Sequence, residues 1–379
     1  MFTVAVCESL ADLEALRPAW QALLAEADTP SVFDDWAWTA ATWRYGAPGK
    51  RPCVITVRDE TGHLIGLLPL ARAWQHHVVP RLEVIGCTPS GYPQADYGGL
   101  LARSGRQAAV WQAVLAYLAA RRDWAILDLR NCPASALPPA FDRLPTAQRG
   151  WLTTVRPAER CPRLALGADF DDYLARLSAN ARQQIRRKLR KLQGAGFIIS
   201  QVDNQDAAAR DAALRTLFGF FETRWDHTAG DLPRGRALAL HTYFAAELAA
   251  RAALDLRIVQ TPTGATVGVI YNFRRGDTGY FYMIGLSPDP QWQPYSLGVC
   301  LLADSIAAAT QAGCRTFDLL RGDHEYKRHF GGQHRETFRV TLYRYRWLAA
   351  LEETARHLRR RLKSRQPAGP PAQPTPEAA

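Results

Sequence analysis

Apolar residues near the N-terminus recur at helical spacing: Leu10, Leu13, Leu16, Trp20, Leu23 and Leu24 predict a helix from Leu10 to Ala27, after a short strand from Thr3 to Val6. Further on the period changes. Cys53-Val-Ile-Thr-Val-Arg58 and Leu64-Ile-Gly-Leu-Leu-Pro-Leu70 are strand-like runs joined by Asp-Glu-Thr-Gly62, which predicts a β-hairpin. Two hundred and two positions later the phrase returns as Leu256-Arg-Ile-Val-Gln260, Thr-Pro-Thr-Gly264 and Thr266-Val-Gly-Val-Ile270. Gly62 falls on Gly264, Gly66 on Gly268 and Arg72 on Arg274.

The segments after the two hairpins are also alike. A strand (Ala95 to Leu101; Gly279 to Leu286), an apolar helix (Gln107 to Ala120; Gly298 to Ala312) and a strand with similar letters (Ile126-Leu-Asp-Leu-Arg130; Phe317-Asp-Leu-Leu-Arg321) are expected in the same order. An ordered recurrence of this kind argues for duplication of one unit. The expected division is residues 1–160, residues 161–362, and a tail at 363–379 too poor in apolar residues to fold, with the Pro-rich stretch Pro133 to Pro162 joining the halves.

The chain has 379 residues, 47% of them hydrophobic, which suits two cores better than one. The seven cysteines are scattered and never spaced Cys-x-x-Cys, so they read as reduced thiols. The nine histidines show no metal-ligand spacing, and no metal is assigned. No run of about 18 apolar residues exists and Asp12 and Glu14 interrupt any signal-like start, so the expectation is a cytoplasmic protein without a transmembrane segment. The net charge of +11 favours an anionic partner without choosing among a phosphorylated cofactor, a nucleic acid and a lipid surface.

Three stretches are distinctive: Tyr280-Phe-Tyr-Met-Ile-Gly-Leu-Ser-Pro288, Tyr295-Ser-Leu-Gly298 opening an apolar helix, and Phe317-Asp-Leu-Leu-Arg-Gly-Asp-His-Glu-Tyr-Lys327. With the Arg-rich run Arg182 to Lys191 ahead of Gly194 and Gly196, they resemble the bacterial acetyltransferase family first associated with cellulose biosynthesis, a tandem-domain branch of the GNAT superfamily related to the FemAB peptidyltransferases. Apart from the tail, the resemblance covers nearly the whole chain. It implies an α/β fold of tandem GNAT-like domains, each a mixed, centrally antiparallel sheet flanked by helices, with the second domain catalytic. It also implies acetyl-CoA or a longer acyl-CoA as co-substrate.

An acyl-CoA transferase must hold a pyrophosphate, and the unpaired N–H groups at a helix start provide a preorganised anion site. Gln293-Pro-Tyr-Ser-Leu-Gly298 is similar to the superfamily's Gln/Arg-x-x-Gly-x-Gly/Ala loop, with Ser296 in place of the first Gly. Gln293, Tyr295, Ser296, Leu297, Gly298 and Val299 are therefore the candidate cofactor loop, and Ile284 belongs to the strand that could offer a backbone N–H to the thioester. The alternative is that Ser296 merely caps a buried helix.

Acyl transfer calls for a base, an oxyanion donor and an acid for the leaving thiolate. Asp318, Asp323, Glu325, Tyr326 and Lys327 crowd a strand end and its loop, with Tyr326 the candidate acid and Asp323 or Glu325 the candidate base. Glu222, Trp225, Tyr280, Tyr282 and Arg321 are candidate acceptor-binding residues. Against that, Glu222 could simply pair with Arg224, and the two tyrosines could be packing residues.

Arg182, Arg186 and Arg190 lie four apart, giving a cationic helix face that suits solvent, an anionic acceptor, or RNA as in FemAB-type transfer from aminoacyl-tRNA. Arg359-Arg-Arg-Leu-Lys363 is a second cluster, suited to anionic lipid or a partner. The leading expectation is an acyl-CoA-dependent N- or O-acyltransferase acting on a small-molecule or saccharide acceptor. An aminoacyl-tRNA-dependent transferase and a non-catalytic binding protein of polysaccharide assembly are the alternatives.

Overall fold

The computed structural model describes residues 2–46, 50–75, 82–87, 95–137, 150–225, 234–322 and 325–354. The chain divides into two compact units: one takes the residues up to Glu159 together with those from Glu336 onward, the other Arg160–Arg335. Both are mixed sheets with helices packed on them, the GNAT-like tandem arrangement.

The first unit begins with β1 (Thr3–Cys7) and α1 (Leu10–Ala25). Ser9 caps α1 by accepting from the Asp12 N–H at 3.1 Å, and Leu13, Leu16, Trp20, Leu23 and Leu24 form its buried stripe. After the short α2 (Trp36–Ala41), β2 (Arg51–Arg58) and β3 (Leu64–Gln75) form the expected hairpin, with Cys53 opposite Leu70. Gly62 closes its turn at φ +85°, a conformation that favours glycine.

The strand expected at Ala95 to Leu101 is instead β4 (Leu82–Cys87), which pairs antiparallel with β3 and parallel with β6 (Ile126–Pro133). Of the expected stretch only Leu101 is in a strand, the two-residue β5 (Leu101–Ala102), because Gly98 and Gly99 interrupt it and Gly99 has a φ of +127°. Between β5 and β6 lies α3 (Gln107–Ala120), whose Val110, Trp111, Val114 and Leu118 fill the core beneath β2 and β3.

Part of the expected Pro-rich connector is also strand. β7 runs Leu152–Ala165, where Thr153, Thr154 and Val155 favour extended backbone; residues 138–149 lie outside the described ones.

In the second unit, α4 (Phe170–Ala175) and α5 (Ala179–Gly194) precede β8 (Ile198–Gln201), α6 (Ala207–Trp225) and α7 (Arg234–Ala249). The second hairpin is β9 (Leu254–Gln260) and β10 (Thr266–Arg275), followed by β11 (Thr278–Leu286), α8 (Leu297–Gln311), β12 (Thr316–Asp318), α9 (Glu325–Arg328) and β13 (Gln333–Tyr343). The strand order is β7-β12-β11-β10-β9-β8, parallel only between β11 and β12. Residues of β13 from Thr337 onward pair with β6 and so group with the first unit.

The two faces of this sheet have different contents. Ile270 and Phe281 join Leu301, Leu302 and Ile306 of α8 and Ile185 and Leu192 of α5 in the main core. On the opposite face Tyr271, Phe273 and Tyr282 pack rings with His241 and Phe244 of α7. His241 is fully buried there, and desolvation pulls its pKa down from 6.5 to about 3, so the imidazole is neutral.

The duplication is visible in detail. Gly66 lies against Val110 of α3, and Gly268 lies 3.1 Å from Leu301 of α8, measured from where a Cβ would stand. Each glycine lets a helix approach its hairpin closely.

Candidate donor and catalytic site

β11 is where the second unit opens. It pairs with β12 only at Thr278, Gly279 and Tyr280, opposite Thr316, Phe317 and Asp318, yet β11 runs six residues further. A β-bulge begins just past that point: Asn272 faces Phe281 while Tyr271 faces Met283, leaving Tyr282 as the extra residue. Bulges re-aim side chains and end pairing beside functional sites. Here the bulge keeps Tyr280 and Tyr282 on the α6–α7 side while Ile284 and Leu286 turn to the α8 side.

The first turn of α8 stands beside the outer end of β11. Gly298 is packed so closely that a Cβ would lie 3.3 Å from Leu286 and 3.8 Å from Ile284. Ser296 occupies the left-handed region at φ 49°, ψ 48° and its side chain makes no capping bond, so the simple capping reading fails. The left-handed backbone also explains why glycine suits this position, since any other residue there costs roughly 1–2 kcal/mol. The Ser296 carbonyl accepts from the Val299 and Cys300 N–H groups at 3.0 and 3.2 Å, which leaves the N–H groups of Leu297 and Gly298 as the helix's first donors. Leu297 and Val299 bury their side chains in the core, so they bring only backbone to the site.

Gln293 is exposed in the short 3₁₀ helix Pro290–Tyr295 before Ser296, and its carbonyl accepts from the Ser296 N–H at 3.2 Å. Tyr295 and Trp292 pack on Phe197, with ring centroids 4.7 and 5.7 Å away. From α5, Lys191 Nζ lies 5.6 Å from the Tyr295 ring. Burial pushes the Cys300 thiol up to about 12 despite the opposing charge of Lys188, so it is not a nucleophile at neutral pH. The basic helix therefore lies beside the start of α8, a placement that the charge pattern of α5 alone did not reveal.

At the inner end of the opening, Phe281 gathers the candidates. The Tyr326 ring meets it edge-on at 6.4 Å, and Lys327 Nζ lies 5.3 Å from its centroid. Lys327 is buried and donates to the carbonyls of Leu319 and Arg321 at 2.8 and 2.9 Å, so it ties down the loop after β12. Asp318, also buried, accepts from the Leu320 N–H at 2.9 Å, and its other oxygen is 3.3 Å from Nε of Arg163 on β7. Arg163 was not a candidate, because nothing in its local sequence places it opposite Asp318. Asp323 lies outside the described residues, as do the side chains of Glu325, Glu222 and Trp225. Among the described residues no group of three or more His, Cys, Asp or Glu side chains is placed to hold a metal.

α8 is locked to the sheet by buried polar contacts. Asn272 donates to Asp255 at 3.0 Å and to Ser305 at 2.9 Å, while Arg257 donates to Asp255 at 3.3 Å and to Asp304 at 2.6 Å. A polar letter inside an apolar strand was the one available signal for Asn272.

Residues 179–328 match the family model described as Acetyltransferase (GNAT) domain. This stretch is a GNAT-type domain. No curated protein matches the chain. Among solved structures, the crystal structure of FemX aligns at 10% identity over 86% of this chain and 95% of its own, with a TM-score of 0.60. The C-terminal domain of a putative lysylphosphatidylglycerol synthetase from Agrobacterium fabrum aligns at 11% identity over 88% and 92%, TM-score 0.54. L-PGS from Bacillus licheniformis gives 11% identity over 89% and 96%, TM-score 0.54. At these identities the likeness is one of fold. The GNAT-type domain contains the opening of β11, the start of α8 and the Phe281 cluster together.

Proposed function

We propose that the protein is an acyl-CoA-dependent N- or O-acyltransferase, with acetyl-CoA or a longer acyl-CoA as donor and a small-molecule or saccharide acceptor. Cytoplasmic exopolysaccharide or cell-envelope metabolism, as in the cellulose-biosynthesis family that the sequence resembles, is the proposed setting. The observation that carries the reading is the opening between β11 and β12 with the first turn of α8 at its outer end. Phosphate at α8 and chemistry at Phe281 are three to five strand residues apart, roughly 10–17 Å at about 3.3 Å per residue. A donor must bridge that distance with a linker, and the pantetheine arm of an acyl-CoA is one.

In this reading the N–H groups of Leu297 and Gly298 hold the pyrophosphate, and an N–H of β11 near Ile284 receives charge from the thioester carbonyl. Asp323 or Glu325 takes the proton of the attacking amine or hydroxyl, and Tyr326 returns one to the leaving thiolate. Lys327 and Asp318 are positioning residues that fix the loop carrying these groups. Tyr280, Tyr282, Arg321, Glu222 and Trp225 are the proposed acceptor surroundings. Titration of the full chain with acetyl-CoA and longer acyl-CoAs tests the reading: saturable binding supports it, and its absence across chain lengths overturns it.

The exposed cations Arg186, Arg187 and Arg190 of α5 favour one other reading, with aminoacyl-tRNA as donor in the FemAB manner. Binding of charged tRNA without binding of any acyl-CoA would decide for it.

A further inference from the structure

Seven large apolar side chains are exposed among the described residues, and three of them, Tyr345 (46%), Trp347 (53%) and Leu351 (40%), fall within seven positions. They lie on or beside the helix at 346–354, which is docked rather than frayed. Leu348 is buried with Ala125, Ile126 and Tyr343, and Glu352 accepts from the Tyr343 hydroxyl at 2.5 Å. Both acidic residues of the helix are engaged: Glu352 is 3.5 Å from Arg339 and Glu353 is 3.8 Å from Arg156. The outward face carries stacked Tyr345 and Trp347 rings (centroids 6.3 Å apart, planes at 24°), Leu351, the exposed Arg346, and Glu353, which stays exposed while its charge is offset by Arg156.

The sequence just after Thr354 supplies charge of one sign. From Arg356 to Arg365 there are six Lys or Arg residues and no Asp or Glu. Such a cluster next to exposed aromatic and aliphatic side chains matches the chemistry of an anionic bilayer surface, where Trp and Tyr sit at headgroup level and cations meet lipid phosphates. We infer that the face formed by Tyr345, Arg346, Trp347 and Leu351 is a docking surface for an anionic membrane, to which the adjoining basic run adds attraction. Single-stranded nucleic acid fits less well: the two rings already stack on each other, and Leu351 gains nothing from a phosphate backbone. No described helix is long and apolar enough to cross a membrane.

The test is co-sedimentation of the full chain with vesicles of phosphatidylcholine–phosphatidylserine and of phosphatidylcholine alone, with single-stranded RNA as competitor. Binding to the anionic vesicles is expected, weakening as salt rises. Changing Trp347→Ser and Leu351→Ser together should reduce it roughly tenfold. Changing Arg359, Arg360 and Arg361 to Ser should reduce it roughly a hundredfold, at about fivefold per cation. The arginine variant leaves Tyr345, Trp347, Leu348 and Leu351 unchanged and keeps the test valid if the apolar variant fails to fold. Equal binding to both vesicle types, indifference to both variants, or RNA binding without vesicle binding would overturn the inference.

Discussion

Toward the open end of the first hairpin Cys53 faces Leu70; at the corresponding place in the second, Asp255 faces Asn272. The first pair is part of an ordinary apolar core under α3, whereas the second reaches through Ser305 to hold α8. The helix starts differ as well: the residue before α3 is Arg106 in right-handed backbone, and the residue before α8 is Ser296 in left-handed backbone. The second copy carries a buried polar bridge to its helix and a left-handed residue at that helix's start, beside an opened strand pair, costs that persist where structure serves a site.

The sharpest way to break this contrast is at the proposed acid. Tyr326→Phe keeps the ring against Phe281 and removes only the hydroxyl, so turnover should fall about 10²–10⁴-fold with little change in acyl-CoA affinity. Steady-state and binding measurements on the same variant separate the two; unchanged turnover would remove Tyr326 from the chemistry.

Acid should distinguish the cores next. His241 is held at about 3 when folded against 6.5 otherwise, so unfolding takes up a proton between those values. Its contribution is fully present above pH 6.5 and is lost as pH falls toward 3, at up to about 1.4 kcal/mol per pH unit. Denaturant titrations from pH 7 to 4 should show that slope, and His241→Leu should flatten it.

Importing the first copy's pair into the second is a finer probe. Asn272→Leu alone leaves Asp255 and Ser305 short of a partner and should cost about 1–3 kcal/mol. With Asp255→Cys added, the loss should be smaller than the sum of the single changes, as a double-mutant cycle would show. Smallest of all, Ser296→Gly relieves the left-handed backbone and should stabilise by about 1 kcal/mol or less, since glycine also loosens the unfolded chain.

Much of the fold was legible because it is written in local periodicity. The two hairpins, α3, α8 and the cationic α5 follow from spacing alone, and the glycines at 62 and 264 mark the same turn twice. β4 was missed because its strand letters sit next to a Gly-rich stretch that looked equally extended, and the return of β13 to β6 is a long-range pairing that no local pattern encodes. In the site, Tyr326 and the Ser296–Gly298 segment were readable as letters. Their geometry was not, because the bulge at Tyr282 and the two carbonyls bound by Lys327 are products of pairing and packing. Arg163 and Asn272 act through partners far away in sequence, which is why neither stood out.

The central claim is that the second copy alone holds the donor, at the first turn of α8. Gly298 and Ala108 are the second residues of α8 and α3, and aspartate at either suits a helix start while repelling phosphate. Acetyl-CoA titrated calorimetrically into the full chain should bind at one site, weakened at least about tenfold by Gly298→Asp and unchanged by Ala108→Asp. Two sites per chain, or binding lost through Ala108→Asp and kept in Gly298→Asp, would contradict it.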